Sequence, residues 1–446
     1  MSAQQDRLSL SRREFLRRAA AAGAGIALAS QMPGVLLADA PTRQKTILRV
    51  VSGQDVTEIE VREQIAKMYQ DVNPDVEIEI MLVTGSRDES QTVMIAGGNP
   101  PDILYLNPWF QYIFAQKGVL LDLNPYIEAE GYSFEGIDPV AVEVCRYGDA
   151  MTAMPFEVSP AGFVFNKNLF DEAGVPYPPL EWEAENWTWD NLIETAAQLT
   201  DESKNQYGAH FENWMYPTAL YQYGAQQYTN IKKITPDTRC IIDSPEAAEA
   251  FQLLSDLRQK HKVSPSAASV QELGGFDRFM SGKVAMFSYG RWLNTFRTIT
   301  DFEWDVVPFP HVAGRDPACT LYQLNYAIYS GSKIPDIGWD FLKFLVTEEP
   351  QKANVATGMA VAALQVVNTM PIFLDSVPPE HNIVYAEALK WAHPEPNLDA
   401  DFGAVLWPHL DKIFNGTTDD IPGTLAEAAA DVNRALDEWR AENDIA

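Results

Sequence analysis

The sequence predicts an α/β protein in which helices cover a largely parallel sheet. Residues Ile47 to Val51 form a short apolar run, and apolar positions between Thr57 and Val72 repeat at helical spacing. Residues 76 to 82 then alternate between apolar and polar side chains. A strand, a helix and a strand in this order favour a βαβ unit with parallel strands. The 446 residues, 46% of them hydrophobic, are enough for two or three domains with sizeable cores.

The first helix has a buried face and an end signal. Val61 and Ile65 share one face, and Asn73-Pro74 ends the helix because the residue before a proline disfavours helical backbone. The pattern then recurs: a short strand is predicted at residues 103–106, directly after the glycine- and proline-rich stretch 97–101. The α/β organisation therefore extends beyond the first unit.

Later elements have recognisable starts. Thr188 is placed to cap one helix, and Ser244 followed by Pro245 is typical of another helix's N-cap and first turn. Thr424 with Glu427 fits a capping box, which predicts that the last helix begins there. The remaining predictions are a helix after Ser332 and strands at 284–289 and 304–307. Residues 174–187, which are rich in proline and carboxylates, are predicted to form an exposed loop.

Charge and cysteine content exclude several classes of protein. The chain has 33 Lys and Arg against 62 Asp and Glu, a net charge of −29 that repels polyanions, so we expect neither a nucleic acid nor an anionic membrane as partner. No run approaches the 18 apolar residues of a membrane span. Three cysteines without a C-x-x-C pair exclude a disulfide scaffold and the usual cysteine zinc modules. We expect all three to be buried as small hydrophobic residues.

The N-terminal 40 residues resemble a twin-arginine export signal. Arg12-Arg13 precede a weakly apolar stretch, and Ala38-Asp39-Ala40 places small residues where a signal peptidase cleaves. We therefore expect a periplasmic protein. Because the first cysteine is Cys145, no lipid anchor is expected near the cleavage site.

Common catalytic motifs are absent from the sequence. No two histidines are four residues apart, and no phosphate-binding P-loop, dinucleotide fingerprint or G-x-S-x-G elbow occurs. We expect no catalytic residue, no cofactor and no metal. A secreted glycosidase with two carboxylates remains an alternative, because its acidic residues have no fixed spacing in the sequence.

Aromatic and polar side chains lie together just beyond predicted strands. Open α/β sheets bind ligands at the carboxyl ends of their strands. Aromatic faces suit the C–H faces of a sugar, and carboxylates, amides or guanidinium groups suit its hydroxyls. Any one of these tryptophans could instead pack in the core, and any one charge could be a solvated surface group. The candidate ligand-binding residues are Trp109, Glu157, Trp214, Tyr289, Arg291, Trp292, Asn325 and Tyr326.

Five ordered motifs resemble the extracellular solute-binding proteins of sugar-type ABC importers. They are AGGNPPDI at 96–103, GVLLDL at 118–123, FVFNKNLF at 163–170, WTWDNL at 187–192 and FMSGKVAM at 279–286. Each motif alone is modestly specific, and their order and spacing carry the resemblance over most of the chain.

This resemblance implies a two-lobe fold of periplasmic-binding-protein type II, with the ligand in the cleft between the lobes. Lobe one would combine 41–153 with 309–370, and lobe two 154–308 with 371–446. It places Trp109, Glu157, Arg291 and Trp292 in the cleft, with Asn325 and Tyr326 as weaker candidates. It further implies a non-enzymatic monomer that carries a sugar or oligosaccharide to the importer's membrane subunits. The same fold could instead bind another small polar solute, such as a polyol or a glycerol phosphate derivative.

Overall fold

The computed structural model describes residues 45–445, apart from Gln54, Thr84, Asn397, Asp399 and Asp444. The predicted export signal lies outside the described residues. The strands are β1 (Thr46–Val51), β2 (Val76–Met81), β3 (Ile103–Leu106), β4 (Arg146–Tyr147), β5 (Ala150–Met151), β6 (Met154–Asn166), β7 (Tyr207–His210), β8 (Val284–Gly290), β9 (Trp304–Val307), β10 (Cys319–Ile328), β11 (Val361–Ala362) and β12 (Ala392–Pro394).

The predicted βαβ start is confirmed. β1 pairs in parallel with β2 over its whole length and with β3 at Val50 and Ile103. The main sheet has the order β2-β1-β3-β10-β6-β8-β7, with β9, β11 and β12 attached to β6 and β10. It is mixed rather than purely parallel, because β10 runs antiparallel to both β3 and β6. The α/β prediction is therefore right, and the antiparallel centre is an addition to it.

Two long strands in the centre connect the two ends of the sheet. β3 pairs with β10 only at residues 325–328, whereas β8 pairs with β6 only at residues 161–165. Between these stretches, β6 and β10 pair with each other through residues 157–160 and 321–324. Leu106 ends β3 opposite Asn325, and Gly290 ends β8 opposite Ala161. The carboxyl ends of β3 and β8 therefore face each other across the central pair.

The helices cover the sheet and begin mostly where the sequence predicts. They are α1 (Val56–Val72), α2 (Arg87–Ala96), α3 (Pro108–Gln116), α4 (Asn124–Glu130), α5 (Pro139–Val144), α6 (Lys167–Ala173), α7 (Trp189–Leu199), α8 (Tyr216–Gln222), α9 (Pro245–Gln259), α10 (Ala267–Glu272), α11 (Gly275–Met280), α12 (Pro335–Leu345), α13 (Glu348–Ala356), α14 (Pro371–Leu374), α15 (Ile383–Ala388), α16 (Ala400–Phe414) and α17 (Ile421–Glu442). None of them, in the part of the chain described, is long and apolar enough to cross a bilayer.

The predicted helix caps are right at two positions and wrong at a third. Thr188 caps α7 in a reciprocal capping box with Asn191, and Ser244 caps α9. The capping box at Thr424 is wrong, because α17 begins earlier and Asp420 accepts the backbone N–H of Gly423. The Thr424 hydroxyl instead donates to the backbone carbonyl of Asp420, one turn earlier, so Thr424 lies within the helix and does not cap it.

The segment 174–187 has no helix or regular strand, but it is not simply an exposed loop. Trp182 and Trp187 are both buried. Their indole N–H groups donate to the carbonyls of Val384 and Pro308, at 2.8 and 2.9 Å. Since each ring has a backbone partner, the two tryptophans fasten this irregular segment to the protein.

One continuous core runs through the molecule, and the cysteines belong to it. Cys145, Cys240 and Cys319 are buried and form no disulfide, as expected for small hydrophobic residues. Close packing also occurs where α7 meets β7. There Gly208 lies against the backbone of Ala196, and its N–H donates to the Thr200 hydroxyl at 2.9 Å.

We expect Gly208→Ala to destabilise the protein by about 3 kcal/mol, because the added Cβ would collide with the Ala196 carbonyl. Urea unfolding measures this difference. Gly403→Ala in α16 is the matched control, since among the described residues its Cβ would meet only the Trp407 ring, at 3.9 Å. Equal stability of the two variants would contradict the proposed close packing of α7 on β7.

Candidate functional site

A cavity of about 680 Å³ lies where the ends of β3 and β8 face each other. Its lining includes Trp109, which follows β3, and Trp292, which follows β8. The central pair contributes Glu157 from β6 and Tyr322 from β10. The cavity thus lies beyond the carboxyl ends of strands, the usual position of a ligand site in α/β sheets.

Short local structures set the tryptophans at this position. The Asn107 side chain accepts the N–H of Phe110 at 3.0 Å and Pro108 occupies the first turn, so α3 starts directly after β3 and holds Trp109 at its beginning. Trp109 is 38% exposed. Trp214 lies in the 3₁₀ turn Asn213–Met215, shortly after β7. Tryptophans from different halves of the sheet therefore line one cavity.

Five aromatic side chains of the cavity lining form what we call the aromatic cluster: Trp214, Phe276, Tyr289, Trp292 and Tyr322. Trp292 has its ring centroid 6.3 Å from Trp214 and 5.7 Å from Tyr289. Trp214 and Tyr322 meet edge to face at 4.9 Å. These contacts hold the rings against each other, so the cluster offers a preformed aromatic surface.

At the floor of the cavity lies the arginine cluster, which consists of Glu58, Arg62, Arg87 and Glu157. Glu58, Arg87 and Glu157 line the cavity, and Arg62 is buried beneath them. Arg62 is buried and forms an ion pair with Glu157. It lies 3.8 Å from Glu58, which in turn lies 3.5 Å from Arg87. Two carboxylates and two guanidinium groups balance in charge, which a buried charged group requires.

Burial and neighbouring charges shift the pKa values within this cluster. Burial raises the pKa of Glu58, and the nearby Glu157 carboxylate raises it further. Burial alone would lower the pKa of Arg62, but the surrounding Tyr326, Tyr105, Glu157 and Glu58 raise it well above its usual value. Arg62 therefore remains a cation under all ordinary conditions.

Behind Trp109 lies a buried carboxylate, Asp88 of α2. It accepts a hydrogen bond from the Asn107 amide at 2.8 Å. Burial raises the pKa of Asp88 to about 6, and the Asn107 hydrogen bond and the Arg87 charge only partly oppose this shift. Asp88 thus supports the residue that starts α3 and titrates close to neutral pH.

The other end of the cavity, which we call the apolar end, is different in character. It is formed by Tyr216, Pro217, Tyr228, Gly403, Leu406 and Trp407. The rings of Tyr216 and Trp407 meet edge to face at 5.9 Å. Two polar residues of the lining, Gln227 and Glu395, are close in the sequence to residues of the apolar end. The Gln227 side chain accepts a hydrogen bond from the Tyr216 hydroxyl at 2.6 Å.

Five of the eight sequence-predicted site residues line the cavity: Trp109, Glu157, Trp214, Tyr289 and Trp292. Arg291 does not. It is fully buried and points away from the cavity, donating to Asn382 at 2.8 Å and to the carbonyl of Ala360. Burial, together with the charge of Arg297, lowers its pKa to about 9. The role predicted for Arg291, holding ligand hydroxyls, is therefore wrong, because its donors are used inside the protein.

Asn325 and Tyr326 also lie outside the cavity lining. Asn325 is buried and donates to Gln111 at 2.7 Å, while Tyr326 stacks on Tyr105 with a centroid distance of 4.6 Å. The part of β10 that lines the cavity is Tyr322, Gln323 and Leu324, and the pairing of β10 with β6 shifts register between Leu324 and Asn325. Both predicted residues instead support the region beneath the cavity.

Several lining residues are not among the residues predicted from the sequence. Tyr216 lies only two residues after Trp214, so its closeness to a predicted site residue is a signal that could have identified it. Trp407 had no such signal, because a tryptophan within an amphipathic helix is indistinguishable from a core residue. Glu58 likewise lies on the first helix and carries no motif.

A possible metal-ligating group lies outside the cavity, at β9. Within the described part of the chain, Asp305, Glu380 and His381 have ligand atoms within 4.8 Å of one another. His381 already pairs with Asp305 at 2.6 Å, and Lys167 lies 3.7 Å from Glu380. These ion pairs account for the cluster without an ion.

Known proteins resemble this chain in sequence and in fold. The model of the family "bacterial extracellular solute-binding protein" matches residues 55–352. A putative binding protein of Brucella abortus is 22% identical over 298 residues, covering 64% of this chain and 68% of that protein. A maltotriose-binding protein of Pyrococcus abyssi is 23% identical over 295 residues, covering 65% of this chain and 60% of that protein.

The solved structures include an ABC substrate-binding protein of Listeria monocytogenes in complex with cycloalternan. It superimposes with a TM-score of 0.76 at 23% identity, covering 88% of this chain and 99% of the other. This likeness confirms the predicted two-lobe α/β fold.

The titration of Asp88 makes stability depend on pH in a defined direction. Its folded-state pKa of about 6 lies above the ordinary value of 3.8, so its stabilising contribution is present below pH 4 and is lost as the pH rises through 6. Asp88→Asn retains an acceptor for Asn107 and removes the charge. We expect the variant to exceed wild type by about 1–3 kcal/mol above pH 7 and to match it near pH 4.

Urea unfolding of both proteins between pH 4 and pH 8 measures this difference. Glu77→Gln, which removes an exposed carboxylate of β2, is the matched control. A stability difference for Asp88→Asn that does not change with pH would exclude the titration.

Proposed function

The chain belongs to the bacterial extracellular solute-binding proteins, and from this membership we propose that it binds a sugar or oligosaccharide for an ABC importer. The aromatic cluster carries the proposal. Pyranose rings present flat C–H faces, which pack on tryptophan and tyrosine rings. The relatives that bind maltotriose and cycloalternan support the same class of ligand.

The two lobes would be residues 41–153 with 309–370, and 154–308 with 371–446. The central strands β6 and β10 connect the two ends of the sheet, and the cavity lies over their central pair. A ligand in contact with Trp109 on one side and Trp292 on the other would favour a closed arrangement, because it binds that arrangement more tightly than the open one. The importer's membrane subunits would then recognise the closed form.

Binding would occur without turnover. A glycosidase needs one carboxylic acid and one carboxylate at the scissile bond. Among the described cavity residues, Glu157 is bound to Arg62, and Glu58 lies between Arg62 and Arg87. Glu157 and Glu58 are therefore held by guanidinium groups, and neither is positioned as an acid or a nucleophile. Asp55, a third acidic residue of the described lining, caps α1 by accepting the N–H of Glu58 at 2.8 Å, and the fourth, Glu395, lies near Tyr216 at the apolar end.

The protein would act in the periplasm as a monomer. The resemblance of the first 40 residues to a twin-arginine signal supports export in a folded state. A freely diffusing carrier can meet both the solute and the membrane subunits.

A thermal-shift panel tests the class of ligand. The purified protein is heated with xylose, maltose, maltotriose, a polyol and a glycerol phosphodiester, each in excess. We expect a carbohydrate to raise the melting temperature, since a ligand at a hundredfold excess over its Kd stabilises by about 2.7 kcal/mol. The compound should be recovered unchanged. A shift with the phosphodiester alone would overturn the proposed sugar, and hydrolysis of a glycoside would overturn the proposed absence of catalysis.

Trp292→Ala tests the aromatic cluster. We expect Kd for the sugar found in the panel to rise at least tenfold, because the variant lacks the ring that contacts Trp214, Tyr289 and Tyr322. Isothermal titration calorimetry measures this change. The matched control is Trp391→Ala, a half-buried tryptophan outside the cavity lining, which should leave Kd unchanged. Equal Kd values for both variants would remove Trp292 from the site.

A further inference from the structure

The two proposed lobes touch each other through a largely exposed loop, residues 229–239, which we call the lysine loop. The loop belongs to lobe two, because the guanidinium of Arg440 in α17 donates to the carbonyl of Thr238 at 3.0 Å. It contains two adjacent lysines, Lys232 and Lys233. Both lysine side chains lie on the side of lobe one.

The lysines contact the β4–β5 hairpin of lobe one and the end of the helix before it. Lys232 forms an ion pair with Glu143 of α5, and its carbonyl accepts the N–H of Gly148 at 3.2 Å. The ammonium group of Lys233 lies 5.6 Å from the centroid of the Tyr147 ring. An ion pair, a backbone hydrogen bond and a cation–π contact therefore join the loop to lobe one.

The hairpin itself is fastened to lobe one. Its Tyr147 ring packs edge to face on Tyr112 of α3, with a centroid distance of 4.9 Å, and the Asn124 amide donates to the carbonyl of Asp149 at 2.9 Å. Both proposed lobes have a net negative charge, so they repel each other as they approach. The two lysines place positive charge at the contact between the lobes, where it opposes this repulsion.

The lobes also touch through a second segment, residues 291–297, which follows β8. Its contacts are buried: the N–H of Leu293 donates to the carbonyl of Gly358 at 2.9 Å, and Arg291 donates to the carbonyl of Ala360. By contrast, the side chains of the ion pair at the lysine loop are 57% and 36% exposed. Exposed contacts open more readily than buried ones. A movement of the lobes should therefore pivot near 291–297 and separate the lysine loop from lobe one.

A small cavity of about 60 Å³ lies at the contact of the lysine loop with lobe one. Tyr112 and Glu143 line it from lobe one, and Lys232 lines it from lobe two. Pro108 and Glu395 line both this small cavity and the large one. The contact is thus incompletely packed and adjoins the ligand cavity, so separating it changes the space in which a ligand would lie.

We propose that the lysine loop is a strap that holds the two lobes in the closed arrangement and slows the release of the ligand. This inference rests on the proposed function and adds to it. The lobes touch at two places and the large cavity lies between them, so the contacts of the loop belong to the closed arrangement. A contact made only in that arrangement raises the fraction of closed protein, and with it the apparent affinity, without touching the ligand.

Lys232→Glu tests the strap, because it replaces the attraction to Glu143 by repulsion at a residue outside the lining of the large cavity. Wild type and variant are titrated with xylose, maltose and maltotriose. For the sugar that binds, we expect Kd to rise at least threefold. The dissociation rate, followed by stopped-flow tryptophan fluorescence, should rise with it. The double variant Lys232→Glu/Glu143→Lys restores an ion pair and should return both values to within twofold of wild type.

Lys390→Glu is the matched control. Lys390 pairs with Glu183 at 3.1 Å, both side chains are exposed, and both residues belong to the same proposed lobe. Reversing this charge should leave Kd and the dissociation rate unchanged, because no contact between the lobes is affected.

The other outcomes separate the strap from the proposed function. If a sugar binds equally well to wild type and to Lys232→Glu, the strap is wrong and the sugar-binding function stands. Tighter binding to the variant would show that the contact belongs to the open arrangement, which also overturns the strap. If none of the three sugars binds to wild type, the proposed sugar binding fails, and small-angle X-ray scattering of the ligand-free proteins decides on the strap. A larger radius of gyration for the variant would support it, and equal radii would overturn it.

Discussion

The buried guanidinium of Arg62 is the constraint on which the centre of this structure depends. A buried cation without partners costs several kcal/mol, so every group around it must be in place when the protein folds. Arg62 belongs to α1, and its partners come from β6 (Glu157), from α13 (Asn354, 2.9 Å) and from β3 (Tyr105, 3.0 Å). One side chain thus fixes four elements that are far apart in the sequence, directly beneath the cavity.

This arrangement has a consequence for how the cavity can bind. Because Glu157 and Glu58 neutralise Arg62 and Arg87, the charges beneath the cavity are matched to each other. Nine aromatic residues contribute to the remaining described lining, and those of the aromatic cluster are preformed by ring-to-ring packing. Such a surface discriminates by shape and by apolar area, which suits a neutral ligand with flat faces.

Local patterns in the sequence were sufficient to predict the helices and strands, but not to predict which side chains contact one another. Helical spacing, strand alternation and the caps at Thr188 and Ser244 are properties of neighbouring residues, and the structure has these elements as predicted. Arg291 shows the limit. Arg291 and Trp292 both follow the end of β8, yet the Arg291 side chain turns inward and donates to Asn382, which is 91 residues further along the chain. Only the tertiary fold decides which of two adjacent side chains faces the cavity.

The same limit explains why the apolar end had no signal in the sequence. Trp407 and Leu406 lie on a helix whose apolar residues mostly face the core, and nothing in their spacing separates a core position from a lining position. Gly403, Leu406 and Trp407 line the cavity, whereas Leu410 and Phe414 of the same helix are buried in the core. The difference arises from how α16 packs on the rest of the protein, so only the tertiary structure separates the lining positions of this helix from its core positions.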